Sequence, residues 1–273
     1  MATLRVHDST EYWKKIDLMV KPASYPMAAG YDVPSVDTIR RPLTLDLSEV
    51  SHEDRVYWAV RRAQDILLSS LALVALSPLL LVTYAAIWID SPGASPIFTQ
   101  QRVGRNGKLF KMYKFRTMCP DAEQKLKDLM ERNEKDGPVF KMKNDPRITR
   151  VGKFLRKTSI DELPQLFNVL KGEMSIVGPR PERPEIAAQY EKEMPEFALR
   201  LQAKAGLTGY AQVYGKYNTT PYDKLQMDLM YIAHPSLIED LKIMLATVKI
   251  LFMPESTEGV SEGQTTAMSG ENH

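Results

Sequence analysis

The chain has 273 residues, 44% hydrophobic and 26% charged, with a formal net charge of +2. That is ample length for a packed core, and the charge balance excludes a polycation, so any anion must be met by a local cluster and nothing calls for nucleic acid. A single cysteine, Cys119, rules out an intrachain disulfide and a cysteine-rich zinc site.

Residues 1–59 read as an N-terminal extension with four prolines, scattered charge and no long periodic pattern, carrying at most a short helix near Ser51–Arg62. The stretch has no apolar run of the kind a secretory signal needs. Residues 60–253 form the dense part of the chain. Residues 254–273, rich in Glu, Ser, Thr and Gly, read as a disordered tail.

Ile66 to Ile89 contains no charged residue. As a straight helix this segment would reach about 36 Å, enough to cross the hydrocarbon of a bilayer. Ser77-Pro78 lies in its middle. Proline removes a helical hydrogen bond and clashes with the preceding turn, and the serine hydroxyl can satisfy a freed carbonyl. Both flanks are basic: Arg55, Arg61 and Arg62 before it, and Arg102 onward after it. A spanning helix should be asymmetric in positive charge. A kinked helix that enters and leaves on one face accounts for both features. The alternatives are a buried core helix and a spanning helix with an ordinary proline kink.

Arg102 to Arg116 holds six positive charges and no acid. With Gly104 and Gly107 as turn residues it reads as a β-hairpin, strands near Ile97–Val103 and Lys108–Phe115. Either the basic face lies on anionic lipid or Lys114 and Arg116 point at a phosphate. Asp121–Lys135 reads as an amphipathic helix with Leu126, Leu129 and Met130 on one stripe, ended by Gly137-Pro138.

A further helix is expected from Thr158 or Ser159 to Gly172, with Ser159-x-x-Glu162 as a capping box. Asp161 and Glu162 are adjacent in its first turn, where the helix dipole favours ionised acids. Arg156 precedes them, and Arg180 follows between two prolines, Pro179 and Pro181. An arginine fork suits phosphate oxygens. Two carboxylates facing an anionic substrate call for a divalent cation, and Mg²⁺ accepts one or two carboxylates together with phosphates. A carboxylate can also be a nucleophile. Ala205–Lys216, holding Gln212, is spaced with glycines and reads as a loop that lets backbone approach a ligand. Ser236–Phe252 reads as an apolar helix whose lysines either snorkel at an interface or flank a core face. No GxxxxGK[ST], GxGxxG, HExxH or GxSxG motif occurs, and His234 before Pro235 reads as a turn residue.

Several segments in one order now point to a family. They are the apolar helix with Ser77-Pro78, Gln101-Arg-Val-Gly104, Lys114-Phe-Arg-Thr-Met118, Asp145-Pro-Arg-Ile-Thr-Arg150, Arg156-Lys-Thr-Ser-Ile-Asp-Glu-Leu-Pro-Gln165, Val177-Gly-Pro-Arg-Pro181 and Gly206-Leu-Thr-Gly-Tyr-Ala-Gln212. Over about residues 57–253 the chain resembles the monotopic bacterial polyprenyl-phosphate phosphoglycosyl transferases, or bacterial sugar transferases. The resemblance implies a helix-dominated α+β fold with a small β-hairpin and a re-entrant helix over 66–89, broken at Ser77-Pro78. It places the protein on the cytoplasmic face of the bacterial inner membrane. It implies that Asp161 attacks the β-phosphate of a UDP-sugar, that UMP leaves, and that polyprenyl phosphate, usually undecaprenyl phosphate, takes the sugar phosphate from the aspartate. Mg²⁺ is the implied cofactor, held by Asp161 and Glu162. Arg156 and Arg180 are implied phosphate contacts, with Lys114, Arg116 and Gln212 as further substrate-binding candidates. Glucose or galactose is the expected sugar; the oligomeric state stays open, a homodimer included.

Two positions depart from the family pattern. Ala205 stands where a proline is usual and Lys216 where an arginine is usual, which bears on nucleotide or sugar contacts more than on the reacting groups. Larger members carry spanning helices ahead of this core, so the chain resembles the minimal catalytic unit with a soluble extension. A membrane phosphohydrolase and an idle scaffold are the competing readings.

Overall fold

A computed structural model describes residues 55–129, 140, 142, 144–215 and 219–251. The expected extension and tail, the second half of the Asp121–Lys135 helix, and Lys216 therefore lie wholly or mainly outside the described residues.

The charge-free segment folds as two helices, α1 (Arg55–Ala75) and α2 (Ser77–Asp90), bent by 63° at the break. The break follows from Pro78 in the first turn of α2, while the Ser77 hydroxyl donates to the Val74 carbonyl at 2.8 Å. Among the described residues no single helix is long and apolar enough to cross a membrane; the bent pair meets that test only jointly. The short helix expected near Ser51–Arg62 is the start of α1 within the described residues, because its residues carry the buried polar side of that helix.

The hairpin is β1 (Ile97–Val103) against β2 (Leu109–Phe115), antiparallel with Ile97 opposite Phe115 and Val103 opposite Leu109. The reversal uses Asn106 and Gly107 at positive φ. Helix α3 (Ala122–Leu129) follows, then α4 (Arg150–Lys157), capped by the Thr149 side chain. A 3₁₀ turn at Ile160–Glu162 leads into α5 (Gln165–Lys171), which stops at Gly172 in the left-handed region. Beyond it come β3 (Met174–Val177), α6 (Pro184–Glu193), a 3₁₀ stretch at Pro195–Gln202, β4 (Ala205–Thr208), α7 (Tyr210–Val213), α8 (Pro221–Ala233) and α9 (Leu237–Leu251).

Strand β4 pairs in parallel with β3, Met174 opposite Ala205. This corrects the expectation of a plain loop from Ala205: its first four residues are strand, because β3 offers an unpaired edge that no local pattern announces. The approach is close. A Cβ on Gly206 would come within 2.2 Å of the Gly178 backbone nitrogen.

The main core lies where α6, α8 and α9 cover the β3–β4 pair, with Leu225, Leu229, Tyr231 and Ile243 inside. Phe110 and Met112 of the hairpin pack on Val169 and Met174. Phe115 meets Ile87 of α2 and Leu155 of α4. The hairpin thus bridges α2 and α4 on one side and the α5–β3 part of the core on the other, and its β2 strand carries Lys114 to Glu162.

Candidate active site

Asp161 and Glu162 sit in the short 3₁₀ turn after α4, which begins directly after Ser159, a non-glycine residue at φ 55°. The expected capping box is not formed: the Ser159 side chain makes no cap hydrogen bond. The left-handed backbone at Ser159 turns the chain too sharply for its hydroxyl to reach back, and the Thr158 hydroxyl instead donates to the Phe154 and Leu155 carbonyls at the end of α4. Freed from capping, Glu162 faces two cations. Its Oε1 accepts from Lys114 Nζ at 2.8 Å and from Arg180 Nη2 at 2.6 Å, and its Oε2 from Arg180 Nη1 at 3.3 Å.

Asp161 differs from its neighbour in its partners. It is half-buried, yet among the described residues it makes no hydrogen bond and no ion pair. Burial pushes the Asp161 carboxyl up from the usual carboxylate range, with Lys114 opposing that shift and Glu162 adding to it. For Glu162 burial acts the same way but is overcome by Arg180 and Lys114, which hold its carboxyl well below the usual range. Burial lowers Lys114, and nearby Arg180 lowers it further. Arg180 is raised, chiefly by Glu162.

Arg156, in the last turn of α4, is fixed by Nε donating to Thr117 Oγ1 at 3.0 Å, while its fork remains exposed. The α4–Thr117 approach that makes this bond possible needs Gly152, where a Cβ would come within 2.1 Å of the Thr117 carbonyl oxygen. Three cations and two acids thus share one site, with one acid neutralised and the other open. Such an arrangement can hold a polyanion next to a carboxylate whose oxygens are free to react.

A model of the bacterial sugar transferases matches residues 56–254. The chain belongs to that family. It is 49% identical over 166 residues, 60% of this chain, to the galactosyl transferase CpsE of Streptococcus agalactiae serotype III. It is 43% identical over 200 residues, 70% of this chain, to the undecaprenyl-phosphate galactose phosphotransferase of Salmonella typhimurium. To the exopolysaccharide production protein ExoY of Sinorhizobium fredii it is 40% identical over 192 residues, 69% of this chain and 83% of that protein. The matched part spans only 36% of the Streptococcus relative and 40% of the Salmonella one.

In this bacterial sugar transferase the structure brings together Lys114, Arg156, Asp161, Glu162 and Arg180, from β2, α4, the acid turn and the loop after β3. Two other candidates are engaged elsewhere. Arg116 donates through Nε to the Ser95 carbonyl at 2.7 Å and lies over the Phe98 ring. Gln212 donates to the Leu207 carbonyl at 2.9 Å, closing the β4–α7 turn. Among the described residues no group of three or more His, Cys, Asp and Glu side chains could enclose a metal ion. Mg²⁺ needs no such cage when phosphates complete its shell. Asp161, with its oxygens unclaimed, fits that role; Glu162, with both oxygens bonded to Lys114 and Arg180, fits it poorly.

Of the residues that hold this site in place, the sequence showed Arg61 and Arg102 only as basic flanks of the apolar segment and did not single out Arg200. Arg200 donates to the backbone carbonyl of Arg180, Arg102 to that of Pro181, and Arg61 to that of Val177. The one sequence signal of Arg200 is a single arginine in apolar company, Phe197-Ala-Leu-Arg-Leu201, and that pattern alone names no partner.

Proposed function

We propose that the protein transfers a hexose 1-phosphate, glucose or galactose 1-phosphate, from a UDP-sugar to undecaprenyl phosphate, and so begins a surface polysaccharide. The observation that carries this reading is the pairing of an open carboxylate, Asp161, with a neutralised one, Glu162, among Lys114, Arg156 and Arg180. The names of the Salmonella and Streptococcus relatives, which speak of undecaprenyl phosphate and galactose, agree with it.

The donor's diphosphate lies against the exposed forks of Arg180 and Arg156, with Lys114 beneath. An Asp161 oxygen attacks the β-phosphorus. The bond from that phosphorus to the bridging oxygen breaks, its electrons leave with UMP, and the sugar phosphate stays on Asp161 as an acyl phosphate. A phosphate oxygen of the lipid then attacks the same phosphorus and expels the Asp161 carboxylate, giving the lipid diphospho-sugar. No proton has to move at the nucleophile, which suits a site that has no histidine among the described residues. Mg²⁺ at Asp161 and the diphosphate would neutralise the charge gathering on phosphate oxygens. Glu162 holds Lys114 and Arg180 at a common spacing, so the site meets its substrate already assembled.

The second substrate explains the apolar helices. Leu67, Leu71, Val74, Leu81, Val82, Trp88 and Ile89 are all more than half exposed, which is costly in water and favourable in hydrocarbon. We read α1 and α2 as a re-entrant pair that enters and leaves on the cytoplasmic face of the plasma membrane, with the acid turn at the level of the lipid phosphate.

The test is release of UMP from a panel of UDP-sugars by the purified protein with polyprenyl phosphate, together with intact-protein mass after mixing with donor alone. The reading predicts UMP release and a mass increase of one hexose phosphate on Asp161. Free hexose 1-phosphate beside the UMP, with no lipid-linked sugar and no adduct, would identify a hydrolase instead.

A further inference from the structure

The loop that presents Arg180 is held by its backbone from end to end. The Gly178 amide donates to the Thr208 carbonyl at 2.8 Å, and the Gly206 amide to the Pro179 carbonyl at 2.9 Å. The Val103 amide donates to the Glu182 carbonyl at 2.9 Å. The two carbonyls nearest the clamp take side chains: Arg102 donates to Pro181 at 3.0 Å, and Arg200 Nη2 to Arg180 itself at 2.9 Å. Proline on either side of Arg180 removes the amides that could have anchored the loop from within. A side chain from elsewhere in the fold therefore has to fix the carbonyl of Arg180.

Arg200 is built for that task. It is 8% exposed and lies on the Phe197 ring, with its charge matched by Asp228, 2% exposed, on α8. Its Nε and Nη2 both reach Asp228 Oδ2 at 2.7 Å. Nη2 is thus shared between the acid and the Arg180 carbonyl, so Asp228 sets the plane in which Arg200 meets the loop. A lysine has no planar fork with which to make both bonds in fixed relation.

We infer that Arg200, oriented by Asp228, is a positioning residue for the phosphate clamp: it fixes the backbone of Arg180 so that the Arg180 fork reaches the donor and Glu162 together. The inference rests on the proposed role of Arg180 at the donor phosphate.

A structural salt bridge and a positioning device differ in how they combine with Arg180. Three proteins decide between them, each compared with wild type for kcat/KM toward the UDP-sugar and for thermal midpoint: Arg200→Met with Asp228→Leu, Arg180→Ala, and the triple variant. Replacing both buried charges by apolar side chains of similar size keeps the core filled and commonly leaves stability intact. The single change Arg200→Lys, which keeps the charge opposite Asp228, serves as the second probe. Loss of clamp geometry predicts that the paired variant and Arg200→Lys each lose about tenfold in kcat/KM. In the Arg180→Ala background the same paired change should cost less than about twofold, because the group being positioned is gone. Equal losses in both backgrounds, or no loss in the paired variant, would overturn the inference. Wild-type activity of Arg180→Ala would also overturn it, and would place the fault in the donor-site reading rather than in the brace.

Discussion

Two clusters of charged side chains hold the chain around β3 and the loop after it, and they are finished to different degrees. The scaffold cluster joins α1 to the core. Arg61 donates to Tyr57, to the Ser175 hydroxyl and to the Val177 carbonyl, and pairs with Asp240, which also accepts from Tyr57 and Tyr231. Asp65 accepts from Ser175 and from the Ile176 amide. Every charge there has its partners. The clamp cluster around Asp161 leaves, among the described residues, one carboxylate and the Arg156 fork without an ion-pair partner. Incomplete pairing costs stability, and a fold keeps it where a ligand completes the set.

The two clusters should differ most at Asp161. Asp161→Asn should abolish turnover, with a loss of at least about a thousandfold, and leave no adduct on mixing with donor. Its thermal midpoint should hold or rise, since the carboxylate removed is half-buried and has no hydrogen bond among the described residues. An adduct that maps to Glu162 in this variant would move the nucleophile to the neighbouring acid.

Chelation comes next. EDTA should stop turnover and Mg²⁺ or Mn²⁺ restore it, while the midpoint of the free protein stays put, because the cation is held largely by substrate oxygens. Full turnover in EDTA would show that the three cations suffice.

Glu162→Gln should lower turnover by about a hundredfold and, unlike Asp161→Asn, also destabilise, by about 1–2 kcal/mol, because Lys114 and Arg180 lose the charge that pairs them. Opposite changes in midpoint for the two adjacent acids are the clearest signature of one finished and one open carboxylate. Equal changes would erase the distinction.

Arg156→Lys and Arg180→Lys keep charge but lose the fork, and each should cost at least about tenfold in kcat/KM, about 1.4 kcal/mol of transition-state stabilisation. Near-wild-type rates for both would make these arginines structural.

The smallest effect on turnover is expected in the other cluster. Arg61→Lys should change the rate per folded molecule by less than about threefold while lowering stability by about 2–3 kcal/mol, through lost hydrogen bonds to buried acceptors. A rate loss as deep as that of Glu162→Gln, at unchanged midpoint, would make the scaffold cluster part of the machinery.

Much of this was legible in the chain itself. The hairpin strands, the break at Ser77-Pro78, the stop at Gly172 and the span of the last helix follow from local rules of period, proline and glycine. The residues that meet at the site, Lys114, Arg156, Asp161, Glu162 and Arg180, were all in view because short-range motifs carry them. Tertiary structure decided what those rules cannot reach. It took Glu162 from an expected helix cap to a partner of Lys114 and Arg180, because two cations distant in sequence offer more than one serine amide. It paired β4 with β3 across an intervening helix, turned Arg116 onto a local carbonyl, and enlisted Arg200 and Asp228 behind the clamp. Side-chain identity fixes what a residue can bind; which partner it binds depends on which distant groups the packed core brings within about 3 Å.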